Sequence, residues 1–164
     1  HGDHLDPDAI SKIKKESTEI VLTKKCHDQL GSGTILNNGD AGTFAGIKID
    51  AVPAYNIQHK RSEGNPFHPK GAGNGYVLHF GDIKVYVAGD TENIPEMAGL
   101  KNIDIAFLPM NLPYTMTPEM VAEAANMIQP KILYPYHFGN TDTQNLVDLM
   151  KDQNKTEIRI RKLN

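Results

Sequence analysis

Three stretches of this chain carry residue types that bind metal ions, each where a fold could gather them. The chain opens His1-Gly2-Asp3-His4, two imidazoles and a carboxylate on one tight turn. Val85-Tyr86-Val87-Ala88-Gly89-Asp90-Thr91-Glu92 runs as an apolar strand and ends in a carboxylate. Ile132-Leu133-Tyr134-Pro135-Tyr136-His137-Phe138-Gly139 ends in an imidazole the same way. Histidine nitrogens and carboxylate oxygens suit zinc at about 2.0–2.2 Å and accept manganese or iron as well. A catalytic metal site takes its ligands from several elements, so that the protein fixes the geometry and leaves a position for water. His1, Asp3, His4, Asp90 and His137 are therefore candidate metal ligands. Each also has a plain structural alternative: a polar loop for the first string, a turn cap for Asp90-Thr91, a core hydrogen bond for His137.

The elements that must position them alternate between helix and strand. Asp6-Pro7 is an N-cap followed by proline at the first helical position, opening a helix to about Lys15. Glu19 to Thr23 is a short strand and Cys26 to Leu30 a brief helix or turn. Ile35-Leu36 and Gly46 to Val52 are strands around the Asn37-Asn38-Gly39-Asp40 turn. Residues 56 to 75, with Pro66 and Pro69, form the longest irregular stretch, and loops of that length are usually functional or disordered. Tyr76 to Phe80 and Ile83 to Ala88 flank Gly81-Asp82 as a hairpin. Strands at Ile103 to Met110, Ile132 to Tyr136 and Glu157 to Ile160 alternate with helices from Pro118 to before Pro130 and from Thr143 to Met150. With no repeat and no linker, residues 1–164 read as one domain, a mixed sheet with helices on its outer face.

Composition narrows the function classes. At 164 residues the chain can bury roughly two-thirds of its unfolded surface. A net charge of −3 and a pI of 6.2 give no reason to expect a nucleic-acid partner. The basic run Arg159, Arg161 and Lys162 alternates with apolar residues, as on an exposed strand face. Cys26 is the only cysteine, which excludes an intrachain disulfide and makes a thiolate zinc site implausible. No apolar run approaches the ~20 residues needed to cross a membrane. A cytoplasmic location is favoured, with periplasmic or secreted ones open. The oligomeric state is not legible.

In family order and context, the three stretches resemble the metallo-β-lactamase superfamily of hydrolases, whose defining motif is H-x-H-x-D-H. The last four letters of that motif stand at His1 to His4, so the native protein is expected to begin earlier. The resemblance spans His1 to Gly139 and implies an αβ/βα four-layer sandwich (α+β/α/β) whose N-terminal strands are absent from this chain. It implies two divalent metal ions in the intact protein, foremost zinc, with manganese or iron as alternatives. His1 would belong to the first metal, with a partner two residues upstream of this chain. Asp3, His4 and His137 would belong to the second, and Asp90 would bridge. Pro53-Ala54-Tyr55-Asn56, Phe67-His68-Pro69-Lys70-Gly71, Gly89-Asp90-Thr91-Glu92 and Pro113-Tyr114-Thr115-Met116 look like the branch related to ascorbate-6-phosphate lactonase and N-acyl-phosphatidylethanolamine phospholipase D.

The activity so implied is hydrolysis of an ester, lactone or phosphodiester in a small-molecule substrate. A metal-bound hydroxide would attack, its pKa lowered from 15.7 toward about 7 between metals about 3.5–4 Å apart. Asp3 and Asp90 would carry the catalytic roles. One position departs from the pattern: Asn56 stands where a first-metal histidine is expected, and an amide oxygen is the poorer zinc ligand. Either Asn56 binds weakly or through water, or a loop histidine replaces it. His68, stiffened by Pro66 and Pro69, is a candidate for a metal or substrate role, whereas His59 beside Lys60 and Arg61 is expected to be solvated. With only Asn56 at that position, this chain is expected to hold one metal, at the second site, while the intact protein holds two. Tyr114 and Tyr55 are available to donate to a substrate oxygen. His79 and His27 are expected to be structural or solvated. Two alternatives remain, a metal-binding but catalytically silent member of the fold, motivated by Asn56, and a di-iron redox protein.

Overall fold

The computed structural model describes residues 1–152 and 155–163. Helix α1 (Pro7–Ile13) starts where Asp6 accepts the backbone N–H groups of Asp8 and Ala9, and it stops two residues short of Lys15 because Lys14 is extended. A parallel pair, β1 (Val21–Leu22) and β2 (Thr34–Ile35), flanks α2 (Lys24–Leu30), which Thr23 caps. Then come β3 (Ala41–Phe44) and β4 (Ile47–Ala54), and a small ribbon of β5 (Lys60–Ser62) and β6 (Asn65–Pro66) inside the stretch read as irregular. The hairpin β7 (Gly73–Phe80) and β8 (Ile83–Val87) turns at Gly81-Asp82 as expected. The rest is β9 (Ile105–Pro109), α3 (Pro118–Ile128), β10 (Ile132–Tyr136), α4 (Thr143–Met150) and β11 (Glu157–Ile158). The last strand is shorter than the sequence suggests. Arg159 turns instead toward Glu157 and the Tyr134 hydroxyl.

Seven strands form one mixed sheet in the order β11-β10-β9-β8-β7-β4-β3. β8 to β11 are parallel, joined after β9 by α3 and after β10 by α4, while β3, β4, β7 and β8 run as an antiparallel meander. Period-2 alternation sorts the strands into two faces. Tyr86, Ala106, Leu108 and Leu133 lie buried on one face, under Val121, Ala125 and Ile128 of α3 and Leu146 and Met150 of α4. Each of the larger of these side chains contributes roughly 1.5–3 kcal/mol through burial. Val85, Val87, Phe107, Tyr134 and Tyr136 alternate onto the other face and are only half-buried, with Phe107 stacked on Tyr134 at 5.1 Å. Sheet and helical layer form the βα half of the expected sandwich.

The topology has one consequence for chemistry. β4 lies antiparallel to β7, and β7 antiparallel to β8, so β4 points the same way as β8, β9 and β10. Four strands therefore finish at one edge, followed by Asn56, Asp90, Asn111 and His137. In open α/β sheets, ligands bind beyond the carboxyl ends of the strands. Gly89 makes the turn into Asp90 with φ +69°, and a Cβ there would lie 2.6 Å from the Asn74 carbonyl oxygen. Gly46 has a similar φ of +80° but open space around it. Gly89→Ala should therefore cost about 2–3 kcal/mol, from left-handed strain plus the backbone clash, and Gly46→Ala only about 1. At about 2–4 °C per kcal/mol for a chain of this size, the Gly89 variant should melt clearly below the Gly46 variant in chelator. Equal melting temperatures would show that the strand end relaxes freely.

Candidate metal centre

The N-terminal turn brings its ring nitrogens and carboxylate against the strand ends, giving two adjoining clusters. One is His1, His68 and Asp90, the other Asp3, His4 and His137, and within each the ligand atoms all lie within 4.8 Å of one another. The rings of His1 and His68 are 5.2 Å apart, and those of His4 and His137 5.3 Å. Asp90 joins the two: its Oδ2 is 3.1 Å from His4 Nε2, 3.3 Å from His68 Nε2 and 3.8 Å from His1 Nδ1. Asp3 Oδ2 lies 3.1 Å from His137 Nε2 and 3.5 Å from His4 Nε2. His137 reaches this position from a left-handed backbone, φ +49°, unusual for a non-glycine residue. Its backbone N–H is held by the Leu163 carbonyl at 2.8 Å.

Burial raises the Asp90 carboxyl, but the hydrogen bonds and charges of His4 and His68 outweigh it and hold the group well below the usual range. Asp3 follows the same balance, with burial opposed mainly by His137, and its pKa is lowered. The His4 imidazole is pushed up, chiefly by its bond to Asp90. The edge thus keeps both carboxylates ionised and favours positive charge between them and the rings.

Asn56 is not where a ligand would be. It is buried, its Oδ1 accepts from the His68 backbone N–H at 2.9 Å, and the same oxygen is 2.6 Å from His68 Nδ1. Its Nδ2 faces two groups that can only accept, the Tyr114 carbonyl at 2.9 Å and Glu92 Oε1 at 3.1 Å. That fixes the amide orientation, and the amide oxygen then requires the proton of His68 to sit on Nδ1. His68 Nε2 is the ring nitrogen left to face Asp90. The sequence expectation of Asn56 as a weak or water-mediated ligand is corrected: the amide grips the far side of the loop histidine. His68 also supplies a third ligand-type residue to the first cluster, where sequence left only His1 and Asp90.

Glu92 was not singled out from sequence, and it is the keystone behind Asn56. It is fully buried and accepts the backbone N–H groups of Ile57, Gln58 and His59 at 2.7–2.8 Å. Burial raises its pKa, but those three backbone donors and Asn56 outweigh it and keep it lowered. His59 is not solvated as expected; its Nδ1 packs 2.8 Å from Glu92 Oε1, without the alignment of a hydrogen bond. The one sequence signal for Glu92 was a charged residue directly after a buried strand end. His79 bonds Asp50 at 2.6 Å and His27 lies 3.8 Å from Asp28, both away from the clusters. Tyr55 also stands apart, donating to Glu96.

A cleft of about 320 Å³ opens over the clusters, and Tyr114, Asn111 and Arg61 line it with the ligand-type residues. In the sequence Arg61 figured only as a charge beside His59, and Asn111 not at all, because the β5–β6 ribbon and the segment after β9 meet there only in three dimensions. A larger hollow of about 450 Å³ lies beside α2 and Gly71–Asn74, but neither cluster lines it.

Residues 1–137 match the β-lactamase superfamily domain. A metal-dependent hydrolase of the UPF0173 family from Thermococcus onnurineus is 32% identical over 148 residues, covering 85% of this chain and 63% of the relative. One from Enterococcus faecalis is 32% identical over 147 residues, 85% of this chain and 64% of its own length. The chain thus spans under two-thirds of these curated relatives. The crystal structure of a protein assigned as a metal-dependent hydrolase from Parabacteroides distasonis superposes with a TM-score of 0.93 at 52% identity, covering 100% of this chain and 73% of that one. A metallo hydrolase from Ignicoccus hospitalis shares the fold at TM-score 0.79 and 21% identity, with 100% of this chain and 73% of that one covered. No described helix is long and apolar enough to cross a membrane. The strand-edge clusters and the domain match agree: this chain belongs to the metallo-β-lactamase superfamily.

Proposed function

We propose that this chain carries the binuclear metal centre of a hydrolase acting on an ester, lactone or phosphodiester of a small molecule. The observation that supports it best is the His68–Asp90 contact. With its Nδ1 committed to Asn56, His68 presents Nε2 to the ionised Asp90 oxygen at 3.3 Å, two ligand-type atoms set to share one cation. Asp90 Oδ1 and His137 Nδ1 are buried without a hydrogen-bond partner, which fits a centre completed by cations and water. His1, His68 and Asp90 would hold one ion, and Asp3, His4 and His137 the other, with Asp90 shared. The donor set suits zinc, with manganese or iron as alternatives. Bound there, such ions lower the pKa of water and polarise the scissile oxygen.

The chain's own residues do the rest. Asp90 holds the two halves of the centre together, and its Oδ1 can accept a hydrogen bond that orients a water at the centre. Asp3, at the exposed rim, offers a carboxylate where a leaving group would depart. Tyr114 and Asn111 line the mouth and can donate to a substrate oxygen. The branch resembling ascorbate-6-phosphate lactonase and N-acyl-phosphatidylethanolamine phospholipase D is our finer reading of this centre. His68 beside the first cluster supports the catalytic reading over that of a catalytically silent member, which Asn56 had motivated.

Equilibrated with zinc or manganese and desalted, the chain should hold two metal ions by elemental analysis. Asp90→Asn should lose at least one of them, together with most turnover of generic ester and bis-phosphate substrates. Unchanged stoichiometry and turnover would reduce Asp90 to a turn cap. Asn56→Leu removes the acceptor that fixes the His68 tautomer without touching a ligand atom. Affinity at the first site should fall about 10–100-fold while the second site is unchanged. A melting curve in chelator separates that effect from loss of the fold, and equal weakening of both sites would count against the relay.

A further inference from the structure

We propose that Arg61 is a specificity residue that recognises an oxyanion, phosphoryl or carboxylate, carried by the substrate beside the bond to be cleaved. This rests on the binuclear reading above and names its substrate class. Arg61 sits on the β5–β6 ribbon, with its guanidinium carbon 5.0 Å over the Phe67 ring. Phe67 packs edge-to-face on Tyr114 at 5.1 Å and immediately precedes His68 in the chain. Arg61, Phe67 and Tyr114 thus form one wall whose register to the clusters is set by the segment that delivers His68. Among the described residues, no ion pair or hydrogen bond occupies the Arg61 side chain, and unlike other basic residues without a carboxylate partner it lines the cleft over the clusters. Its planar fork of donors is unspent, and it lines the same cleft as Asp90 and His137.

Charge sharpens the inference. Two divalent cations against the two carboxylates of the clusters leave a positive floor. A guanidinium on the wall of the same cleft adds a like charge, and an anion between wall and floor is attracted by both. An arginine fork matches the oxygens of a phosphoryl or carboxylate group in a bidentate way that an ammonium does not. Tyr114, backed by Phe67 and lining the same cleft, would cover the apolar part of such a substrate.

The test uses the metal-loaded chain, Arg61→Met and Arg61→Lys. Binding of phenyl phosphate, benzoate and neutral phenol is followed by calorimetry, with metal content measured on each sample. Arg61→Met should keep two metals yet bind at least one of the two anions about 10–100-fold more weakly, while phenol is unchanged. Arg61→Lys should restore only part of the loss. The probe with the larger Arg61 dependence identifies the anion as phosphoryl or carboxylate. Full metal content with unchanged affinity for both anions would overturn the proposal. If the wild-type chain takes up no metal, the binuclear reading fails by itself. The same comparison on metal-free protein then decides Arg61: a selective loss of anion binding upholds it, and its absence overturns it.

Discussion

A buried carboxylate held between two groups of imidazoles sets the terms for the rest of the structure. Asp90 stays ionised although burial opposes it, because His4 and His68 point their nitrogens at one of its oxygens. Such a group is costly in a folded protein unless positive charge meets it. The surrounding architecture supplies rings for that charge to bind and brings four strand ends together to hold them. Gly89 supplies the turn at closest range, in a conformation and a space that leave no room for a side chain.

Behind the clusters runs a second layer of polar contacts that fixes direction more than it adds stability. Glu92 spends its carboxylate on three backbone N–H groups and Asn56, Asn56 spends its amide on His68, and His68 is left with one usable nitrogen. Outer partners of this kind set the tautomer and orientation of metal-binding histidines. The relay also explains why a buried glutamate is tolerated two residues from Asp90: each of its oxygens is hydrogen-bonded, so the burial cost is met locally. The aromatic wall of Phe67 and Tyr114 adjoins the relay, since the Tyr114 carbonyl closes one of its bonds. Ligand cluster, relay and cleft wall are therefore mechanically one unit built on the loop between β4 and β7.

The parallel and antiparallel halves of the sheet divide the work. The β9–α3–β10–α4–β11 portion buries one face under helices and presents His137 from a rigid strand. The meander from β3 to β8 presents Asp90 directly and His68 indirectly, from its longest connection. The second face of the sheet, with Phe107 against Tyr134, remains only half-buried.

Local pattern determined much of this. The alternating strands, the cap at Asp6, the Gly81-Asp82 hairpin and the strand-end positions of Asp90 and His137 follow from short-range chemistry written in consecutive residues. The His1-Gly2-Asp3-His4 string likewise declares three ligand-type groups within one turn. What sequence left open was every contact that depends on where a loop folds back. Whether Asn56 or His68 faces the first cluster is decided by hydrogen bonds across a dozen residues. The roles of Glu92 and Arg61 depend on partners from separate segments. Spacing along the chain carries no record of such distances, because an irregular loop has no period to extrapolate. The residue types for a metal centre were therefore legible in the sequence, whereas the orientation of its loop histidine and the charge of its wall were decided by tertiary structure, where buried polar groups must find partners in three dimensions.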